Sequence, residues 1–198
     1  MEFPRLSPTR KTGKEPFRSG QADLNFKVID FWQWTASDLV SNSTRGVLAE
    51  FLVAQALGLA TGVRNEWAAF DLLTASGNKI EVKSAAYVQS WGQKKLSEIV
   101  FSTRPSLAWD ADTGELAKES KRQADIYVFA LLSHRDKQTI NPLEVDQWEF
   151  YVVPTSALDA YSRNQHSITL KSLQQLCPVP VKFSELRSAI EGRSAGAN

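Results

Sequence analysis

The sequence predicts an α/β fold in which a mixed central β-sheet is flanked by helices. Three features of the chain lead to this fold class. Residues 45–58 place apolar side chains at helical spacing, residues 69–83 form two short strand patterns around a turn, and residues 124–132 are an unbroken apolar run. Such a run is typical of a strand that is covered on both faces, as happens in sheets with helices on each side.

The composition is that of an ordinary globular protein. The chain has 198 residues, of which 42% are hydrophobic, and a net charge of +1, so it can bury a core and carries no overall basic field. One cysteine and two histidines exclude a disulfide framework and multi-cysteine zinc sites. No apolar run reaches membrane-spanning length and no signal-peptide core is present. We therefore expect a cytoplasmic protein whose metal site, if it has one, consists of carboxylates.

The chain divides into residues 1–20, a flexible basic arm, residues 21–190, a single domain, and residues 191–198, a frayed tail. The arm is rich in Pro, Ser, Gly and basic residues, a composition that cannot bury a core. Its basic side chains are Arg5, Arg10, Lys11, Lys14 and Arg18, against the two acids Glu2 and Glu15. The alternative to a disordered arm is a basic arm that binds a nucleic-acid backbone.

Residues 24–34 are aromatic and favour a strand. Within them, Trp32 and Trp34 have the spacing of two side chains on one face of a strand. These indoles could stack on bases. Buried packing or a surface for a partner is the interpretation that such a pair favours.

The first element of the predicted core is the helix over residues 45–58. Ser43 or Thr44 suits its N-cap, and Gly58 suits its C-terminal end. Its apolar stripe consists of Val47, Leu48, Phe51, Leu52 and Leu57. Glu50 is the only acid in the helix and lies at the edge of this stripe, so it is either a solvated flank residue or a group that points into a cleft.

Residues 69–83 predict a hairpin, with its turn at residues 76–78. The second strand alternates strictly, so Glu81 and Lys83 lie on one face while Ile80 and Val82 lie on the other. The hairpin brings Asp71 beside the polar face. Carboxylate oxygens are the ligands that Mg²⁺ prefers, and a lysine beside them can orient a water or neutralise charge that develops on a phosphate.

The rest of the chain predicts further strands and helices. We expect a third strand over residues 98–102, a short charged helix over residues 115–122 and a strand over residues 148–154 that ends at a proline. A helix follows from Thr155, and short helical pieces occupy residues 167–190. The core order is therefore helix, strand, strand, strand, helix, strand.

This order and the hairpin resemble the PD-(D/E)XK nuclease superfamily, which has the restriction-endonuclease-like αβββαβ core. The resemblance covers residues 44–132. The family's Asp and acid-x-Lys motif correspond to Asp71 and to residues 81–83, and its upstream helix acid to Glu50. Phe70 stands where the family has its Pro. A second acid-x-Lys triplet at residues 119–121 lies in a polar stretch that no Asp-bearing strand precedes.

The resemblance implies a metal-dependent phosphodiesterase site. Asp71, Glu81 and the backbone carbonyl of Val82 would hold Mg²⁺ or Mn²⁺, Lys83 would position water and stabilise negative charge, and Glu50 would assist. Residues after the motif would contact the nucleic acid, namely Ser84, Tyr87, Gln89, Lys94 and Lys95. Ordinary solvated surface is the alternative for these five.

We therefore expect an Mg²⁺-dependent endonuclease whose partner is nucleic acid, with double-stranded DNA as the first choice. No membrane partner is expected, and a homodimer is an option. Two alternatives remain open at this point. One is a non-catalytic nucleic-acid- or protein-binding module that keeps the nuclease fold. The other is a structural protein in which Asp71, Glu81 and Lys83 form a surface ion-pair set.

Overall fold

A computed structural model of the chain describes residue 3, residues 5–161 and residues 166–194. The elements in chain order are β1 (Pro16–Ser19), β2 (Ala22–Lys27), α1 (Val28–Ala36), α2 (Asn42–Leu57), β3 (Leu72–Leu73), β4 (Lys79–Ala86), β5 (Val100–Ser102), β6 (Ser106–Trp109), β7 (Leu116–Lys121), β8 (Ile126–Leu132), β9 (Trp148–Pro154), α3 (Thr155–Ala160), β10 (Ser167–Thr169), α4 (Leu170–Leu176) and α5 (Leu186–Ser194). Residues 1, 2 and 4 of the predicted arm and residues 195–198 of the predicted tail lie outside the described residues.

The central sheet has four strands in the order β3, β4, β8, β9. Strands β4 and β8 run parallel, with Glu81 opposite Tyr127 in the register, and the other two pairs are antiparallel. The predicted mixed sheet is thus confirmed. All seven residues of β8 are buried, as the apolar run predicts for a strand covered on both faces.

Two hydrophobic clusters cover the two faces of this sheet. On one face, Ile80 and Val82 pack with α5 and with the buried side chains of α2, which are Ala49, Leu52, Val53 and Leu57. Two members of the predicted stripe, Val47 and Phe51, are instead about half exposed. On the other face, Tyr127 and Phe129 pack with side chains of β5, β10, α3 and α4. Because side chains alternate along a strand, Glu81 and Lys83 lie on the face away from α2, as the sequence predicts.

Helix α2 begins at Asn42, three residues before the expected start at Arg45. Its N-cap is Ser41 rather than Ser43 or Thr44, whereas its end at Gly58 is confirmed. Gly58 adopts a φ of +73° and its N–H donates to the Gln55 carbonyl over 3.1 Å, which is the left-handed cap that glycine favours. No helix in the described part of the chain is both long enough and apolar enough to cross a membrane.

The crossover from β4 to β8 differs from the prediction. Residues 115–122, expected as a helix, hold the strand β7, which pairs with β6 in a separate hairpin. The turn explains the difference, because the Asp110 carboxylate accepts the N–H groups of Asp112 and Thr113 and Gly114 adopts a φ of +75°. Strand β5 is also outside the central sheet and pairs with β10.

The aromatic segment near the N-terminus is also different from the expected strand. Strand β2 ends at Lys27, and α1 follows directly. The Asp30 carboxylate accepts the Lys27 N–H over 2.6 Å, so an acid in the first turn holds the start of the helix. Trp32 and Trp34 therefore lie on a helix and not on one face of a strand.

The buried strand β8 allows a test of how much the core contributes. Leu132→Ala removes a fully buried side chain, and we expect the free energy of unfolding to fall by about 2–5 kcal/mol through lost burial and the cavity left behind. Leu143→Ala is the matched control, since Leu143 is 67% exposed and its loss should change stability by less than about 0.5 kcal/mol. Urea denaturation measures both, and equal effects would contradict the described core.

Candidate active site

A tight turn sets the geometry of the hairpin between β3 and β4. The Thr74 N–H donates to the Asn78 carbonyl and the Gly77 N–H donates to the Thr74 carbonyl, each over 3.0 Å. Gly77 has a φ of +86°, a conformation in which glycine carries no steric cost. The turn fixes the register in which Leu72 faces Ile80, and the Asp71 N–H donates to the Ile80 carbonyl over 3.0 Å.

Asp71 lies at the sheet edge, directly before the first residue of β3. Its carboxylate accepts the Val82 N–H over 2.7 Å, in the place where a longer β3 would offer a backbone carbonyl. Because the N–H and C=O of one residue point to the same side of a strand, the Val82 carbonyl also faces the edge that Asp71 occupies. One carboxylate and one carbonyl oxygen are thus directed to the same edge.

The charge on Asp71 is unfavourable in this position. Burial and the neighbouring Glu81 carboxylate raise the pKa of Asp71 to about 7, with a further contribution from Glu50. The hydrogen bond from Val82 and the charge of Lys83 act in the opposite direction but do not offset it. Asp71 and Glu81 therefore lie close enough to repel each other, and a cation between them would relieve that repulsion.

Lys83 pairs with Glu81 two positions away on the same face of β4. Its ammonium donates to the Glu81 carboxylate, and the two side chains are 32% and 18% exposed. A cation and an anion therefore meet at the surface beside Asp71. An ammonium in this position can contact a phosphate oxygen of a bound substrate.

Glu50 projects from α2 toward the same edge of the sheet. It forms a two-point ion pair with Arg64, in which one guanidinium nitrogen donates over 2.9 Å. A cavity of about 490 Å³ is lined by Glu50, Arg64 and Asp71 among others. The hydrogen bond to Glu50 raises the pKa of Arg64, so this cation stays charged. The structure therefore places Glu50 in a cleft and not on a solvated flank.

Two residues of this site, Arg64 and Tyr127, are not indicated by any pattern in the sequence. Arg64 lies in an irregular segment whose pattern gives no sign of its partner. Tyr127 belongs to an apolar run, and only the β4–β8 register places it beside Glu81. Burial, followed by the charge of Glu81, raises the pKa of Tyr127 to about 12, so its hydroxyl keeps its proton at neutral pH.

The predicted nucleic-acid contacts are spread along the end of β4 and the loop after it. Ser84 is half-buried. Because side chains alternate along β4, it lies on the face toward α2, opposite the face that carries Lys83. The half-buried ring of Tyr87 stacks with Arg135, whose guanidinium carbon lies 4.4 Å from the ring centroid. Lys94 and Lys95 are exposed, and the Lys95 ammonium lies 3.7 Å from the Glu98 carboxylate. Lys94 and Lys95 remain open to a nucleic acid.

Gln89 has a different environment from the other four. Its side chain is buried, accepts from the Arg45 guanidinium over 3.3 Å and donates to the Ala86 carbonyl over 2.9 Å. These hydrogen bonds tie the loop after β4 to the start of α2. A contact between the Gln89 amide and a nucleic acid would require that these bonds break.

The basic arm runs beside the cleft. Arg10 lines the cavity that holds Glu50 and Asp71, and the Arg5 guanidinium donates to the Asn65 side chain over 3.1 Å. Arg5 is also ion-paired with Asp112. It is therefore Arg10 that places a positive charge of the arm on the wall of the cavity that holds Glu50, Arg64 and Asp71, the acidic cleft, and such a charge suits a polyanionic ligand.

The oxygen ligands of this site suit a hard cation that takes few of its ligands from the protein. Among the described residues, no group of three or more His, Cys, Asp or Glu side chains is arranged to hold a metal ion. The candidates are instead two carboxylates, Asp71 and Glu81, and the Val82 carbonyl. Mg²⁺ is commonly bound through one or two carboxylates and keeps several waters, so these ligands fit it.

A comparison with curated proteins finds no match to this chain. The family model for bacteriophage T4 endonuclease IV matches residues 27–172, a stretch that runs from the start of α1 into α4 and contains Glu50, Asp71, Glu81 and Lys83. That stretch is well over half of the chain. The chain therefore belongs to the bacteriophage T4 endonuclease IV family, a family of nucleases.

Proposed function

We propose that this protein is a Mg²⁺- or Mn²⁺-dependent endonuclease of the PD-(D/E)XK type that hydrolyses phosphodiester bonds in DNA. The observation that carries the proposal is the position of Asp71, half-buried at the sheet edge with Glu81, Lys83 and Glu50 around it. A surface ion-pair set would not require a second carboxylate that repels the first. The nuclease family to which the chain belongs supports the endonuclease activity in this proposal.

The metal would be held by Asp71, Glu81 and the Val82 carbonyl. When bound, Mg²⁺ supplies positive charge to the scissile phosphate and lowers the pKa of a coordinated water. The repulsion between Asp71 and Glu81 supports this assignment, because a divalent cation bound between the two carboxylates would relieve it.

The chain's own residues contribute charge and orientation. Lys83 can donate a hydrogen bond to a phosphate oxygen and stabilise the negative charge that develops on it during hydrolysis. Glu50 is ion-paired with Arg64 at the cleft. The Glu50 carboxylate can accept a hydrogen bond from a water, and the Arg64 guanidinium can donate one to a phosphate. Tyr127 keeps its hydroxyl proton beside Glu81 and can act as a hydrogen-bond donor there.

Lys83→Ala tests the catalytic assignment. We expect the variant to lose at least about 100-fold in cleavage rate, because Lys83 acts on charge that is greatest in the transition state. DNA affinity should change by less than about threefold, since one contact among many phosphate contacts is removed. A nicking assay with Mg²⁺ or Mn²⁺ and a gel-shift assay measure the two quantities on double-stranded and single-stranded DNA.

Lys171→Ala is the matched control for this substitution, since Lys171 is an exposed lysine on α4, and it should cleave at the wild-type rate. Normal cleavage by Lys83→Ala would remove Lys83 from the mechanism. Wild-type protein that binds DNA but does not cleave it with either metal would favour the non-catalytic binding module.

Asp71→Asn tests the electrostatics without metal. The pKa of Asp71 is about 7 in the folded protein, against 3.8 for an unperturbed aspartate, so the folded state binds one more proton than the unfolded state between these two pH values. Stability of the wild type should therefore fall as the pH rises through this window, and the cost is complete above about pH 7. The amide can still accept the Val82 N–H, so Asp71→Asn should melt higher than wild type at about pH 8 and similarly at about pH 4.

The same variant tests metal binding. Added Mg²⁺ should raise the melting temperature of the wild type by an amount that grows with free metal, whereas Asp71→Asn should lose this gain. Glu191→Gln is the control, because Glu191 is an exposed acid on α5 and should leave both responses unchanged. A wild type whose melting temperature ignores both pH in this range and metal would contradict a metal site at Asp71.

A further inference from the structure

We infer that the cavity between the N-terminal arm and α1 is a nucleotide-binding subsite, which receives a nucleotide of the substrate beside the scissile phosphodiester. Trp32 would stack on its base, and Arg10 and Lys11 would contact its phosphates. The inference rests on the proposed endonuclease function and adds to it a position where the substrate is held.

The cavity has the size and lining that such a ligand requires. Its volume is about 660 Å³, within the usual range of small-molecule sites. The lining residues are Thr9, Arg10, Lys11, Thr12, Trp32, Gly62 and Val63. It thus combines one aromatic ring, two cations and two hydroxyl groups, which are the groups that bind bases, phosphates and sugars.

Packing against the arm holds Trp32 in place. The position that a Cβ of Gly13 would occupy lies 3.2 Å from the Trp32 ring, so the absence of a side chain at Gly13 lets the indole approach closely. Gly13 itself has a φ of +90°, and its carbonyl accepts the Ile29 N–H over 3.0 Å. Trp32 is nevertheless 38% exposed and lines the cavity, so a supported aromatic residue remains accessible to a ligand there.

The two cations of the cavity are available to a ligand. Arg10 and Lys11 are exposed, and neither forms an ion pair within the described part of the chain. Glu15, the acid of the arm nearest to them in sequence, instead accepts the backbone N–H groups of Thr12 and Gly13 over 2.9 and 3.0 Å. These hydrogen bonds lower the pKa of Glu15 and fix the arm that carries the cations.

This cavity adjoins the acidic cleft, with which it shares part of its wall. Arg10, Gly62 and Val63 line both the Trp32 cavity and the cavity that holds Glu50, Arg64 and Asp71. A nucleic-acid strand whose phosphodiester lies at Asp71 would therefore extend past Arg10 to Trp32. The position of Trp32 next to the proposed site of chemistry is what distinguishes it from other exposed aromatic residues.

The packing of α1 supports a ligand role for Trp32. None of the residues of α1 is buried, so the helix does not contribute to the core. Trp34 is two residues away on the same helix, is 84% exposed and does not line the cavity. Trp34 therefore provides a matched control in the same helix and of the same residue type.

Binding of a short fluorescein-labelled duplex, and of one of its strands alone, tests the inference. Fluorescence anisotropy would be measured with Ca²⁺ in place of Mg²⁺, and cleavage with Mg²⁺. We expect Trp32→Ala to weaken binding of the preferred form about tenfold, as for the loss of one stacked base, and to raise KM in parallel. Trp32→Phe should keep most of the affinity, and Trp34→Ala should stay within about twofold of the wild type.

Arg10→Ala and Lys11→Ala complete the test, since each removes a charge and neither side chain is buried. Each should lower the slope of log affinity against log salt by about one and weaken binding without a change in melting temperature. These variants keep the test valid if Trp32→Ala unfolds the region around Gly13.

The outcomes separate this inference from the proposed function. If the wild type cleaves DNA while Trp32→Ala, Arg10→Ala and Lys11→Ala all bind as Trp34→Ala does, the subsite is overturned and the endonuclease stands. If no protein cleaves DNA with Mg²⁺ or Mn²⁺ but the Trp32 and Arg10 variants lose affinity as stated, the subsite is supported and the catalytic proposal is overturned.

Discussion

The hydrogen bond from the Val82 N–H to the Asp71 carboxylate is the contact on which the candidate site depends. It exists because β3 is only two residues long. The Asp71 side chain therefore accepts the Val82 N–H, where a longer β3 would supply a backbone carbonyl. The bond stabilises the anion, but burial and Glu81 outweigh it and raise the pKa of Asp71. The sheet edge therefore holds a carboxylate whose charge the protein alone does not compensate, which is the electrostatic condition for cation binding.

The two faces of β4 have different roles, one in the core and one at the candidate site. Ile80 and Val82 are buried under α2 and anchor the strand, while Glu81 and Lys83 face the other side with Tyr127. The parallel pairing with the fully buried β8 makes this register difficult to shift, because a slip by one residue would exchange the apolar and charged faces. Precise placement of the charged groups thus follows from the same packing that stabilises the fold.

The N-terminal region extends the site beyond the sheet. Arg10 of the arm lines the acidic cleft, and Trp32 of α1 lines the adjoining cavity. No residue of α1 is buried. The family match begins at residue 27, so it includes α1 but not the arm or the strands before it. The charge of Arg10 on the wall of the acidic cleft would attract a polyanion, while the Asp71 carboxylate, which has no ion pair among the described residues, stays available to a cation.

The sequence alone determined the features that depend on local periodicity and turn chemistry. Alternation separated Glu81 and Lys83 from Ile80 and Val82, the apolar run predicted β8, and Gly58 marked the end of α2, because each depends on a few neighbouring residues. Tertiary structure decided the rest. Residues 116–121 form the strand β7 because they pair with β6, although their charged sequence suits a helix. Strand β5 pairs with the distant β10, and Glu50 forms its ion pair with Arg64 across the cleft. Such choices depend on contacts between segments far apart in the chain, and a local pattern contains no information about which distant segment will supply the partner.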